Sequence, residues 1–369
     1  MQSFVGPTIT GGTGGTIAPI PQKPIKRLVA AHPFLVKEIA LQAGLSEATI
    51  DRVLNKRGGV RRHTAERVKQ AIRELHGQSE QAGLTGRKFV VDVVMQAPDR
   101  FSEAVRIALE DEMPALRPAV FRARYHFSEV ARLTDLLALI DRIGARGAHG
   151  LFLKAPDEPE IAAAVDRVVG RGIPVVTLVT DVPKSRRVAY VGMDNRAAGE
   201  TAAYLIGEWL RGARAKILAT LSSNRFRGEE EREIGFRRAI RTRYPNLGIV
   251  EVSEGLGIDQ RTGALVREAL AANSDIAGAY SIGGGNRAIV EAFRAAGRTC
   301  RVFVGHDLDA DNLALLRERE ISAVLHHDLN ADMRAACRIV MQAYRVLPQS
   351  GRPAPSQVQI ITPFNLPGI

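Results

Sequence analysis

From Phe89 onward the chain alternates short apolar runs with amphipathic stretches, and that alternation leaves few folds open to it. FVVDVVM, VFRARYHF, HGLFLK and IPVVTLV read as strands, and EAVRIALEDEM, LTDLLALIDRI and EIAAAVDRVV between them read as helices. Strand and helix repeated in this order build parallel sheets covered by helices. A second set follows, with KILATL, IVEVSE, IAGAYSI, RVFVGH and AVLHHDL as strands. Two sets predict two α/β lobes with a crevice where the carboxyl ends of the strands meet. Such an architecture requires no enzyme.

A different grammar precedes it. Between Phe34 and Leu54 the residues Val36, Ile39, Ala40 and Ala43 recur with helical spacing, Gly44 permits a tight turn, and Ser46 caps a second helix carrying Ile50, Val53 and Leu54. This is a helix-turn-helix pattern. A third series, Ala65, Val68, Ile72 and Leu75, supplies the face that closes a small three-helix core. The outward face of the second helix keeps Glu47, Ala48, Asp51, Arg52 and Asn55 for a major groove. A helical hairpin with a purely structural role is the alternative.

Charge separates the two parts. Of a net +11, the stretch from Lys23 to Lys88 holds 14 Lys or Arg against 6 Asp or Glu, a surplus of eight, and the rest of the chain is nearly balanced. A cationic headpiece on a near-neutral body suits phosphate attraction and argues against adhesion to membranes by the whole surface.

The run GLSEATIDRVLNKRGGVRRHTAERVKQAIREL resembles the headpiece of the LacI/GalR family of bacterial transcriptional regulators. Gly44, Ser46, Thr49, Arg52, Val53, Asn55, Val60, Thr64 and Val68 fall on that family's pattern. The resemblance implies DNA contacts from Ser46, Glu47, Ala48, Thr49, Arg52 and Asn55. Relatives carry a Tyr-x-Pro-Asn lead-in and a hinge helix whose Leu wedges into the minor groove. This chain lacks the lead-in; Leu84 stands near the Leu position, beside Gly83, and is either that wedge or a linker residue packed on the body.

The resemblance extends over roughly residues 34 to 365, the body being similar to the family's periplasmic-binding-protein-like effector domain. GIPVVTLVTD implies Asp181 at the cleft edge, and VGMDNRAAG places Asn195 at a helix start with Gly199 for close packing. EEREIGFRRAI puts Arg232 where relatives grip sugar hydroxyls, and VGHD makes Asp307 an acceptor on the opposite wall. A planar Arg fork facing an Asp gives a polyol donors on one side and acceptors on the other. Phe101 is a candidate to stack on a sugar face, with a core or loop aromatic as the alternative. Gly283, Gly284 and Gly285 before Asn286 replace the Asn-Asp of many relatives, and serve either a hydroxyl or anion or simply a tight turn. His327 lies near a position where relatives keep a polar cleft residue.

The expected fold class is α/β: an all-α helix-turn-helix domain, then a two-lobed body with parallel sheets. Residues 1–25, with TGGTGGT, read as a disordered tail, 26–76 as the DNA-binding domain, 77–88 as a linker or hinge, and 89–369 as the effector-binding and dimerisation domain. TGGTGGT lacks the strand and the Lys-Ser or Lys-Thr helix of a phosphate loop. Cys300 and Cys337 have no paired-ligand spacing, which favours a reducing compartment. His326 and His327 alternate across a strand, so with His306 and Asp328 they make no metal site, and no cofactor is implied. No basic and apolar secretory signal stands at the N-terminus and no apolar run is long enough to span a bilayer. The expectation is a cytoplasmic, homodimeric repressor that binds double-stranded operator DNA and answers to a small sugar or polyol. A periplasmic sugar-binding protein and an α/β sugar- or nucleotide-processing enzyme are the alternatives, the last without triad, P-loop or paired carboxylates to support it.

Overall fold

The computed structural model describes residues 33–349, 351 and 354–367, so the stretch read as a tail lies outside the described residues. The chain divides into two compact units with the boundary between Gln78 and Ser79.

The first unit is helical. Helix α1 (Val36–Ala43) ends at Gly44, whose left-handed φ of 60° turns the chain, and Ser46 opens α2 (Glu47–Leu54) by accepting a hydrogen bond from the Thr49 N–H at 3.3 Å. Ile39, Ala40, Ala43 and Ile50 close with Val68 and Ala71 of α3 (Arg62–Leu84) into one core. Arg67 ties the third helix to the first through the Ala43 carbonyl at 2.7 Å. Helix α3 runs on to Leu84, through most of the polar stretch read as a linker. Extending a formed helix costs little per residue, and Gly77 and Gly83 among Gln, Ala and Glu do not stop it. The chain turns at Gly86, with φ 74°.

In the second unit a five-stranded sheet runs in the order β2-β1-β3-β4-β5, from β1 (Lys88–Gln96), β2 (Val120–Ser128), β3 (Gly150–Lys154), β4 (Val175–Leu178) and β5 (Ala189–Val191), all parallel. Helices α4 (Asp99–Glu112), α5 (Leu133–Arg146) and α6 (Pro159–Gly170) are its crossovers. The second sheet has the order β11-β10-β9-β8-β6-β7, from β6 (Ala215–Thr220), β7 (Leu247–Val252), β8 (Ile276–Ser281), β9 (Val302–His306), β10 (Ala323–His326) and β11 (Gln359–Ile361), with β11 antiparallel to β10. Its helices are α7 (Asn195–Trp209), α8 (Arg227–Arg243), α9 (Asp259–Ala272), α10 (Asn286–Ala295) and α11 (Ala310–Arg317).

Two features depart from the sequence reading. Strands β5 and β11 have three residues each, too few to show a period. Helix α12 (Leu329–Ala343), which follows the last strand of the second lobe, returns to the first, where Leu329, Met333, Ala336, Cys337 and Val340 join the core under β1. The chain therefore crosses between lobes three times, after β5, after β10 and before β11. Met193 on the first crossing and Ser356 on the third lie side by side. Helices α7 and α8 touch backbone to backbone: a Cβ on Gly199 would stand 1.9 Å from the Arg232 carbonyl oxygen.

Candidate functional site

The carboxyl ends of both sheets face one cavity of about 70 Å3, room for roughly five waters. Bridges from lobe to lobe close it. Arg100 of α4 pairs with Asp309 at 3.0 Å and donates to the Gly257 carbonyl at 3.0 Å, and the Gly228 N–H donates to Thr180 Oγ1 at 2.9 Å. Burial raises the Asp309 carboxyl above its ordinary range.

Four of the seven residues expected to meet a ligand line this cavity: Phe101, Arg232, Asn286 and Asp307. Arg232 is 3% exposed and is oriented by neutral acceptors, Asn195 Oδ1 at 2.8 Å from Nε and the Ile282 carbonyl at 3.2 Å from Nη1. Asn286 donates from Nδ2 to Asn312 at 2.6 Å, while its Oδ1 has no partner among the described residues. Asp307 holds a left-handed φ of 64°, and its Oδ1 is likewise unpartnered.

The other three stand behind the wall. Asn195 holds Arg232 and also donates to the Val179 carbonyl at 3.2 Å. Asp181 is turned to its own loop, paired with Arg187 and accepting from Thr177 Oγ1 at 2.7 Å and the Val182 N–H at 2.8 Å, so its charge is already neutralised away from the cavity. His327 is fully buried; its Nδ1 donates to Asp332, which also accepts from Ser356 Oγ.

Sequence reasoning overlooked Lys154, Glu229 and Arg100. Lys154 closes β3, is 9% exposed, donates to the Gln96 carbonyl at 3.0 Å and lies 4.4 Å from the centroid of the Phe226 ring. Burial pushes its ammonium down to about 8. Glu229, in the first turn of α8, accepts from Ser222 through its N–H at 2.7 Å and its Oγ at 2.5 Å. A Lys ending an otherwise apolar strand was the available signal, since such strand ends face the crevice. The glycine run has a steric cause: a Cβ on Gly283 would meet Ser222 N at 2.0 Å, and Gly284 and Gly285 have φ of 92° and 77°.

On the first unit, Ser46, Glu47, Ala48 and Arg52 are exposed and Thr49 and Asn55 half-buried. Asn55 Nδ2 donates to Asp51 at 2.6 Å. Leu84 closes α3, but its side chain lies outside what is described. Among the described residues no group of three or more His, Cys, Asp or Glu is placed to hold a metal, and no helix is long and apolar enough to cross a membrane.

The periplasmic binding protein domain family matches residues 93–345, and the lacI family of bacterial regulatory proteins matches residues 35–76. No curated protein matches the chain. A glucose-galactose binding protein from Geobacillus stearothermophilus is 20% identical, the match covering 76% of this chain and 99% of that one with a TM-score of 0.68. A protein assigned as a LacI transcriptional regulator from Bacteroides fragilis is 13% identical over 76% of this chain and 98% of its own, with a TM-score of 0.67. A solute-binding protein of an ABC transporter from Burkholderia graminis, in complex with D-arabinose, is 20% identical over 76% and 96%, with a TM-score of 0.63. At such identities the solved structures show the fold alone. With both family matches in one chain, the protein belongs to the LacI family of bacterial regulatory proteins, a lacI-type DNA-binding headpiece followed by a ligand-binding domain of the periplasmic-binding-protein type.

Proposed function

We propose that the protein is a cytoplasmic, homodimeric repressor whose hold on operator DNA is set by a small sugar or polyol bound between the two lobes. The observation that carries this reading is the cavity itself: the guanidinium of Arg232, the carboxylate of Asp307 and the amide of Asn286 line one confined space. That pairing suits a ligand with several hydroxyls. Phe101, 7% exposed on the same wall, gives it an apolar face. The sugars named with the solute-binding neighbours support a carbohydrate here. Asn195 and His327 act by holding the wall, and Asp181 by ordering its own loop.

In the headpiece, 26–76, Arg52, Glu47 and Ala48 read base edges, with Ser46, Thr49 and Asn55 setting the helix on the backbone. Leu84, in the link over 77–88, remains the candidate for a minor-groove contact. Residues 89–369 form the effector and dimer domain. A ligand changes DNA affinity only as far as it binds the two states of the body unequally, and the effect is reciprocal. The test is a pair of titrations of the full chain with a sugar that stabilises it, one with and one without an operator selected from random duplexes. A ratio of sugar affinities of about fivefold or more is expected. Equal affinities would eliminate ligand control.

A further inference from the structure

Three cations line the cavity, Lys154, Arg100 and Arg232, against six carboxylates. Burial and the neighbouring Arg232 hold His306, on the same wall, well below the usual histidine range, so it adds no charge. Helices α4, α8, α9, α10 and α11 all begin at the wall. Each helix start adds the equivalent of about half a positive charge. Five such starts and three cations come within about one charge of cancelling six carboxylates. The cavity is therefore close to electroneutral, although it is crowded with charged groups.

The innermost groups are also unusually placed. Lys154 and Arg232 bond to carbonyl and amide oxygens rather than to carboxylates, and Glu229 is held by Ser222. An ammonium has three N–H donors. Gln96 takes one and the Phe226 ring faces the group from another side, which leaves a donor for the cavity. Cations and carboxylates held apart in this way remain available as strong, charge-assisted hydrogen-bond donors and acceptors.

Resting on the carbohydrate reading above, we infer that the effector is an uncharged polyol of monosaccharide size, that Lys154 donates to one of its oxygens, and that phosphorylated and acidic sugars are rejected. The cavity, about 70 Å3, is too confined for anything larger than one small polyol. A phosphate would bring close to two negative charges into a space with no net positive charge to meet them.

Calorimetric titration of the full chain separates the possibilities. The uncharged probes are D-glucose, D-galactose, D-arabinose and myo-inositol; the anionic probes are D-glucuronate and glucose phosphate. Binding of at least one uncharged probe is expected, with every anionic probe at least about a hundredfold weaker. Tighter binding of an anionic probe overturns the inference and leaves the sugar-responsive regulator standing. A chain that binds none of the probes sinks both. In Lys154→Met, or Lys154→Gln should the first not fold, the bound uncharged probe is expected to lose at least about tenfold in affinity. Unchanged affinity overturns the role of Lys154.

Discussion

His327 Nε2 stands 3.8 Å from Asp307 Oδ1, and neither atom has a hydrogen-bond partner among the described residues. The ring is set from behind, because Nδ1 donates to Asp332 and Asp332 also receives Ser356 Oγ. Ser356 in turn donates its N–H to the Gly192 carbonyl at 2.9 Å, beside the first crossing. One chain of contacts thus runs from the cavity wall through all three crossings between the lobes. Asp332→Ala leaves the buried His327 donor and the half-buried Ser356 donor without their acceptor. A stability loss of about 1–3 kcal/mol is expected, together with weaker ligand binding. Calorimetry and denaturant melts that matched the parent chain would break this link.

Asp307 combines a chemical and a conformational demand. Its φ of 64° is tolerated by Asn far better than by a β-branched residue. Asp307→Asn is expected to melt within about 0.5 kcal/mol of the parent yet to lose most of its ligand affinity, since one acceptor oxygen becomes a donor amide. Asp307→Val should lose both. A folded Asp307→Asn chain with parental affinity would remove Asp307 from the ligand's contacts.

Gly283→Ala tests whether the glycine run is there for space. The added Cβ would lie 2.0 Å from Ser222 N, the group that holds Glu229. Overpacking against backbone is expected to cost about 1–3 kcal/mol and to disturb the wall. Gly170, the last residue of α6, has nothing within 4 Å of its Cβ position. Gly170→Ala should therefore be neutral or stabilising by about 0.4–1 kcal/mol. Equal melting midpoints for the two variants would refute the steric account.

The repeated strand and helix runs made the two lobes legible, and Arg232 and Asp307 were found through the resemblance of EEREIGFRRAI and VGHD to the family's patterns; both line the cavity. What stayed hidden depends on long-range pairing. Asp181 looks like a wall residue until Arg187, six positions on, is seen to hold it. The return of α12 to the first lobe is set by which core accepts Met333 and Val340, a choice that periodicity does not encode. Lys154 was passed over because a lone Lys at a strand end reads as solvent-facing until the opposite lobe covers it.

The headpiece prediction concerns side chains with room to act. Arg52 and Glu47 are exposed on α2, whereas Asp51 is engaged by Asn55 and by Arg57 at 2.9 Å. Arg52→Ala is expected to weaken binding to the selected operator by about 1–3 kcal/mol while leaving sugar affinity of the DNA-free chain unchanged. Glu47→Gln should alter the preferred sequence more than the overall affinity. Binding-site selection that returned the same sequence for Glu47→Gln would misplace the recognition helix.

Lys154 should make the ligand-free protein less stable than it could be. Its ammonium is pushed by burial from 10.5 to about 8, so the folded state holds the proton less tightly than the unfolded state does. Between those two values the unfolded chain is protonated while the folded chain is not, and stability therefore rises with pH across that window. Below about 8 the whole cost is present, roughly 3 kcal/mol by the size of the shift. Lys154→Met removes the charge and keeps much of the volume. The variant is expected to exceed the parent in stability by up to about 3 kcal/mol at neutral pH, with the gap closing as pH climbs from about 8 to 10.5. Comparing the two chains cancels titrations they share, so the shrinking difference isolates this one group. A gap that stayed constant with pH would mean that Lys154 keeps its proton throughout and that its burial carries no such cost.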